Sequence, residues 1–359
     1  MAYTDIDDPT EYFGTTLYTG NETVRAITFD GNSDLDVDWI WLKSRSSSGN
    51  HHVYDTVRGT QKHLRINLTN AEGTNGGTDG VTAFGSNGFT VGANTGSNQS
   101  GVTFVGWGWK AGTSFTNDAS GTGIGTIDST GSVNTDAGFA IISYTATGSA
   151  ETIAHGLGTT PGLIITKRRN GADSWFVWNK TFSATQYLSM DTTNAVGSAS
   201  TVFGTLPTST VYSTGGGGGT GTNGGTYISY LFAEKQGYSK FGSYTGNGNA
   251  DGTFVYTGFK PAFTLIKRTD STTGGSWILF DNKRGANVIN PVDVVLAASN
   301  NATESDWGTT YDCDYLSNGF KWRHDGSSGY VNVSGANYTF YAFAENPFVT
   351  STGVPATAR

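Results

Sequence analysis

Five histidines, His51, His52, His63, His155 and His324, are the residues of this chain best suited to hold a metal or move a proton. His51, His52 and His63 lie near Asp55 in sequence, but adjacent residues of a strand point to opposite faces, so His51 and His52 are not placed to chelate together. They are expected to be exposed loop histidines. His155, in His155-Gly156-Leu157-Gly158, has no acid or nucleophile beside it in sequence. Glycoside cleavage needs two carboxylates facing each other across a groove. Asp5, Asp7, Asp8, Asp34, Asp36 and Asp38 lie in segments that read as loop and are expected to be solvated. The stretch from Thr74 to Gly80 is rich in Asn, Asp and Gly but lacks the spacing and terminal glutamate of a calcium loop. No Gly-x-Ser-x-Gly elbow, phosphate loop or His-Glu-x-x-His helix occurs. No catalytic, cofactor-binding or metal-ligating set is expected, and the chain is expected not to be an enzyme.

A second group of residues could make contacts without doing chemistry. Lys43, Lys167 and Lys267 each close an apolar run, and Arg58 and Arg284 are each followed by glycine. Together they could form a basic ladder for a ligand. The simpler expectation is a lysine with its stem over apolar neighbours and its head in water, and an arginine that ties a loop by hydrogen bonds. Nine tryptophans are present, and most are expected in the core because each buries a large area. Trp307 and Trp322, in the less regular part of the chain, are the candidates for a sugar platform or a protein contact. The candidate contact residues are therefore Trp307, Trp322, Lys43, Arg58, Lys267 and Arg284.

The elements that carry these residues recur three times. Tyr18-Thr19-Gly20-Asn21, Tyr144-Thr145-Ala146-Thr147-Gly148 and Tyr244-Thr245-Gly246-Asn247-Gly248 each precede an apolar run that ends in lysine. From tyrosine to lysine the separations are 25, 23 and 23 residues. Lys43 to Ala71 aligns without a gap on Lys167 to Ala195. Each copy closes on an aromatic strand, and in the first of these Val105, Trp107 and Trp109 alternate with Gly106 and Gly108. That period of two marks a strand whose glycine face lets something pack closely. The second copy has Phe182 where the others have Arg58 and Arg284.

With 52 glycines, 13% aromatic and only 14% charged residues, the composition favours short strands and tight turns over amphipathic helices. The expected fold is all-β: three tandem antiparallel β-sandwich repeats, jelly-roll or lectin-like, of about 100 residues. Residues 1–110, 137–237 and 238–348 form the repeats. Residues 111–136, rich in Gly, Ser and Thr, are expected to be a linker, and 349–359 a C-terminal tail. The first repeat should be the more independent body, and a helical turn or two is plausible only between Thr60 and Ala71. A net charge of -8 disfavours nucleic acid as a partner. The single cysteine, Cys313, excludes an intrachain disulfide. No secretory signal or membrane span is expected.

The tyrosine-glycine openings, the arginine-glycine turns and the Ser-Asn-Gly-Phe hairpins at 86–89 and 317–320 resemble a family of repeat proteins encoded by tailed, notably marine, bacteriophages. Tyr3-Thr4-Asp5-Ile6-Asp7-Asp8-Pro9 and Ala342-Phe343-Ala344-Glu345-Asn346-Pro347-Phe348 resemble the ends of such proteins. The resemblance implies a virion structural part assembled in the host cytoplasm, with no catalytic residues to carry over. Foremost among the roles it suggests is a tail-fibre or receptor-binding appendage, then a capsid decoration or head-fibre protein, and last a carbohydrate-active enzyme. The implied partners are other virion proteins of tail or capsid, host cell-surface glycan, and further copies of the chain in a homo-oligomer such as a trimer.

Overall fold

The apolar runs ending at Lys43, Lys167 and Lys267 leave no polar face, which in an antiparallel sheet requires cover on both sides. The computed structural model, which describes residues 4–74, 80–93, 95–285, 290–306 and 312–357, supplies both covers. Each run is an inner strand of a large antiparallel sheet: Trp39–Ser44, Leu163–Arg168 and Phe259–Arg268.

Strand order is the same in all three large sheets. The first runs Phe13–Thr19, Thr103–Trp109, Trp39–Ser44, His52–Asp55, Lys62–Arg65, Gly73–Thr74. The second repeats it with Phe139–Thr145, Thr226–Phe232, Leu163–Arg168, Trp175–Asn179, Gln186–Ser189, Gly197–Ser198. The third does so with Ser239–Thr245, Asn337–Pro347, Phe259–Arg268, Trp277–Asp281, Val294–Ala297, Ser305–Asp306. A smaller antiparallel sheet covers one face of each, completing a sandwich; in the first unit it consists of Arg25–Ile27, Gly88–Val91 and Val81–Gly85. The chain is all-β.

Side-chain alternation sends the two faces of each inner strand to different cores. In Trp39–Ser44, Ile40 and Leu42 pack inside the first sandwich with Phe29, Phe89 and Val91. Trp39 and Trp41 point the other way, into a core that all three units share. At its centre Trp109, Phe232 and Phe343, which hold equivalent positions on the closing strands, form a triangle. Their ring centroids are 6.4, 5.4 and 5.5 Å apart and their planes are steeply inclined. The three sandwiches are thus arranged around a pseudo-threefold axis.

Glycines of the first closing strand face the sandwich, as their alternation implies. A Cβ on Gly108 would come within 2.6 Å of the Phe29 ring, and one on Gly106 within 3.0 Å of Leu42. The close approach is made by Phe29 and Leu42.

Three expectations need correction. Residues 111–136 are not an extended linker: Thr113–Asn117 and Ser129–Asn134 pair with each other and join the second sheet beside Phe139–Thr145, making it eight-stranded. Their polar composition suits the outer end of a sheet, with Thr113–Asn117 at its edge, while Phe115, Ile127 and Val133 pack against the core of the second sandwich. The region Thr60 to Ala71 is not helical; it carries the strand Lys62–Arg65, and tertiary pairing overrides the weak local preference. The first unit does not stand apart, because Trp39, Trp41, Trp107 and Trp109 would be uncovered without the other two. Among the described residues, no helix is long and apolar enough to cross a membrane.

Candidate functional site

The residues expected to meet a ligand meet other parts of the chain instead. Trp322 is fully buried in the third sandwich against Tyr244, Phe280 and Phe320, so it is no surface platform. Trp307 and the Asn75 to Asp79 part of the proposed loop lie outside the described residues. Lys43, Lys167, Lys267, Arg58 and Arg284 are all buried, with their polar heads on the seams between units. The lysine heads are not in water.

Each seam is built from equivalent contacts taken in cyclic order. Backbone N–H groups of Glu72, Val196 and Glu304 donate to the carbonyls of Arg169, Thr269 and Arg45 of the neighbouring unit at 2.8, 2.9 and 2.8 Å. Further in, Trp175 Nε1 donates to Arg65 O at 2.8 Å and Trp277 Nε1 to Ser189 O at 2.9 Å. At the third seam His51 takes the tryptophan's place, with Nε2 3.1 Å from Ala297 O. Its Nδ1 accepts from Trp41 Nε1 at 2.9 Å, so Nε2 carries the proton and the ring is neutral. Burial, and then the charge of Lys43, holds its pKa well below the ordinary value.

Charge enters at a third level. Asp55 Oδ2 accepts from Arg58 Nε and, across the seam, from the Tyr230 hydroxyl at 2.7 Å. Asp281 Oδ2 accepts from Arg284 Nε and, across another seam, from Trp107 Nε1 at 3.0 Å. Each arginine also faces a glutamate, Glu72 or Glu304, which takes a second arginine from the next unit, Arg169 or Arg45. The remaining seam has none of these charges. Asn179, Phe182, Val196 and Thr269 stand where the others have aspartate, arginine, glutamate and the second arginine, and Asn179 Nδ2 meets the Tyr341 hydroxyl at 3.1 Å. All four changes belong together, since a guanidinium buried without its carboxylates carries a large desolvation cost.

Lysine ammoniums complete the seams. Lys167 donates to Thr69 O at 2.9 Å and Lys267 to Thr193 O at 3.3 Å, equivalent carbonyls of the preceding unit. Lys43 donates to Ser44 O at 2.6 Å within its own unit. Burial lowers Lys43 and Lys167 to about 8 and Lys267 to about 7. His52 and His63 are also buried, with rings 5.4 Å apart, and are not the exposed loop histidines expected.

The family model described as Domain of unknown function (DUF7483) matches residues 8–347. The chain belongs to this family. No curated protein matches it, and no solved structure does. The DUF7483 match runs through all three units and the strands of 111–136, the same span that one shared core holds together. Within this DUF7483 chain the partners Glu72, Glu304, Arg45, Arg169, Tyr230 and Trp107 were not singled out from sequence. Their signal was the gapless alignment of the first two copies, extended one residue to set Glu72 against Val196.

Proposed function

We propose that the chain is a structural protein of a tailed-bacteriophage virion, a tail-fibre or receptor-binding appendage component that contacts the host surface. The observation carrying this reading is the closed ring of seams around Trp109, Phe232 and Phe343. A body whose three units share one core cannot release a unit without exposing those rings to water. Such cohesion, obtained with one buried cysteine and no disulfide, suits a part assembled in the host cytoplasm that persists outside the cell. The seams use the arginines and lysines internally, which fits a binding and structural role, not catalysis. Other virion proteins are the proposed partners, with host glycan beyond them. A homotrimer is not needed to produce threefold packing, because one chain supplies it.

Capsid decoration or head-fibre attachment is the second reading, favoured by the pseudo-threefold body, which matches the symmetry of a shell's threefold positions. Immunogold labelling of purified particles separates the two. Label on tail tips, with binding of the purified chain to host cells, supports the appendage; label spread over heads supports decoration. Particles without label would remove both. Shortening of host polysaccharide by the purified chain would instead favour the third reading, a carbohydrate-active enzyme.

A further inference from the structure

Among the described residues, the large aromatic side chains left open to solvent are Phe254, Tyr256 and Phe348, and they lie together. Phe254 and Tyr256 are 43% and 59% exposed and flank buried Val255 on the strand Phe254–Tyr256, so both rings stand on the outer face of the third unit's small sheet. Phe348 is brought alongside by its backbone N–H, which bonds Gly258 O at 3.2 Å. Gly258 also adjoins the tip of the Tyr256 ring, where a Cβ would sit 3.5 Å from the phenol oxygen.

Tyr256 and Phe348 line a cleft of about 410 Å³, within the range of small-ligand sites. It is also lined by the turn residues Glu234, Lys235 and Gln236 and by Lys240 of the strand Ser239–Thr245. Glu234 is engaged by Lys180 at 2.6 Å and by the Phe241 N–H at 2.8 Å. Lys321 sits opposite Phe254 on the adjoining strand. Lys240 also reaches Glu234, at 3.5 Å, and Lys321 pairs with Asp251, so Lys235 is the lysine of this cleft without an ion pair among the described residues.

We infer that this cleft binds an anionic oligosaccharide. A pyranose offers an apolar C–H face to the exposed Tyr256 ring, and Phe348 bounds the same cleft. Hydroxyl edges meet Gln236, and a carboxylate or sulfate meets Lys235, with Lys240 shared between it and Glu234. A protein partner would bury about 800 Å² on this side, far more surface than these three rings supply. The inference rests on the host-surface reading and names the class of surface molecule.

Isothermal titration of the full chain with alginate and polysialic acid oligomers as anionic probes, and cellohexaose and chitohexaose as neutral ones, tests it. At least one anionic probe should bind, about tenfold or more tighter than either neutral one, and weaken severalfold between about 20 and about 300 mM salt. Tyr256→Ala should lower that affinity about tenfold or more, and Lys235→Ala should flatten the salt dependence, with unchanged thermal midpoints because both positions are at the surface. No anionic binding, equal neutral binding, or full binding by a Tyr256→Ala, Phe348→Ala double variant overturns the inference. So does a self-associated form in sedimentation that Tyr256→Ala dissolves, since a second copy would then occupy the patch. A chain found on tails that binds no anionic probe removes only this inference. One that binds the probe but is absent from particles removes only the appendage reading.

Discussion

The Tyr230 hydroxyl reaches across a seam to Asp55 Oδ2 at 2.7 Å, the same oxygen that accepts from Arg58 Nε. Burial, followed by the charges of Arg58 and Asp55, acts on the phenol, and the balance raises its pKa well above the ordinary value. The proton therefore stays on the tyrosine, and the carboxylate is the acceptor for both neighbours. Tyr230→Phe should cost about 1 to 2 kcal/mol, because Asp55 keeps its arginine. Arg58→Ala should cost about 3 to 5 kcal/mol, because it leaves Asp55 buried without its countercharge. Urea denaturation of the two variants ranks them, and an equal loss would deny the arginine its larger role.

The uncharged seam predicts an asymmetric exchange. Phe182→Arg alone should be strongly destabilising, since Asn179 and Val196 offer no carboxylate to the new guanidinium. Adding Asn179→Asp and Val196→Glu should recover most of that loss by rebuilding the arrangement around Arg58. Thermal melts of the single and triple variants would decide it; a triple variant less stable than the single one contradicts the equivalence of the seams.

His51 and Trp41 occupy positions held by Trp175 with Ile165 and by Trp277 with Leu265 elsewhere. Large and small residues have exchanged places between neighbouring positions, so Trp41→Ile with His51→Trp should preserve the seam. His51→Trp alone should cost about 1 to 3 kcal/mol through overpacking beside Trp41. Denaturant midpoints of the double and single variants test the compensation.

The same histidine makes the fold acid-sensitive. His51 is held well below its ordinary pKa, and His52 and His155 are lowered to about 3 and about 4 by burial. Below about pH 6.5 the unfolded chain binds protons that the folded chain refuses, so stability falls with pH through that window. A proton on His51 Nδ1 would also oppose the Trp41 N–H. The thermal midpoint should drop between pH 7 and pH 5, and drop less in the Trp41→Ile, His51→Trp double variant.

The buried lysines act at the other end of the scale. With Lys267 near 7 and Lys43 and Lys167 near 8, below the usual 10.5, the unfolded chain holds more protons than the folded one between those values. Stability should therefore rise as pH increases from about 7 to about 9. Calorimetry across that range checks the sign; a lysine contribution that stays flat would show that carbonyls such as Thr69 O keep the ammoniums charged.

Much of the fold was legible in residue order. Apolar runs without a polar face, the alternation of Val105, Trp107 and Trp109 with glycine, and equal spacing of tyrosine and lysine specify short antiparallel strands in repeated sets, because strand periodicity and turn chemistry are local. Even the loss of Arg58's counterpart at Phe182 was visible. What the sequence could not tell was the second cover over each inner strand. Whether Trp39 and Trp41 face solvent, a separate chain or another unit depends on how whole sheets dock, which is a long-range packing choice. That docking turned the lysines and arginines from candidate ligand contacts into buried seam ties and drew residues 111–136 into a sheet. It also left Phe254, Tyr256 and Phe348 outside, since exposure is decided by what packs against a strand and not by the strand itself.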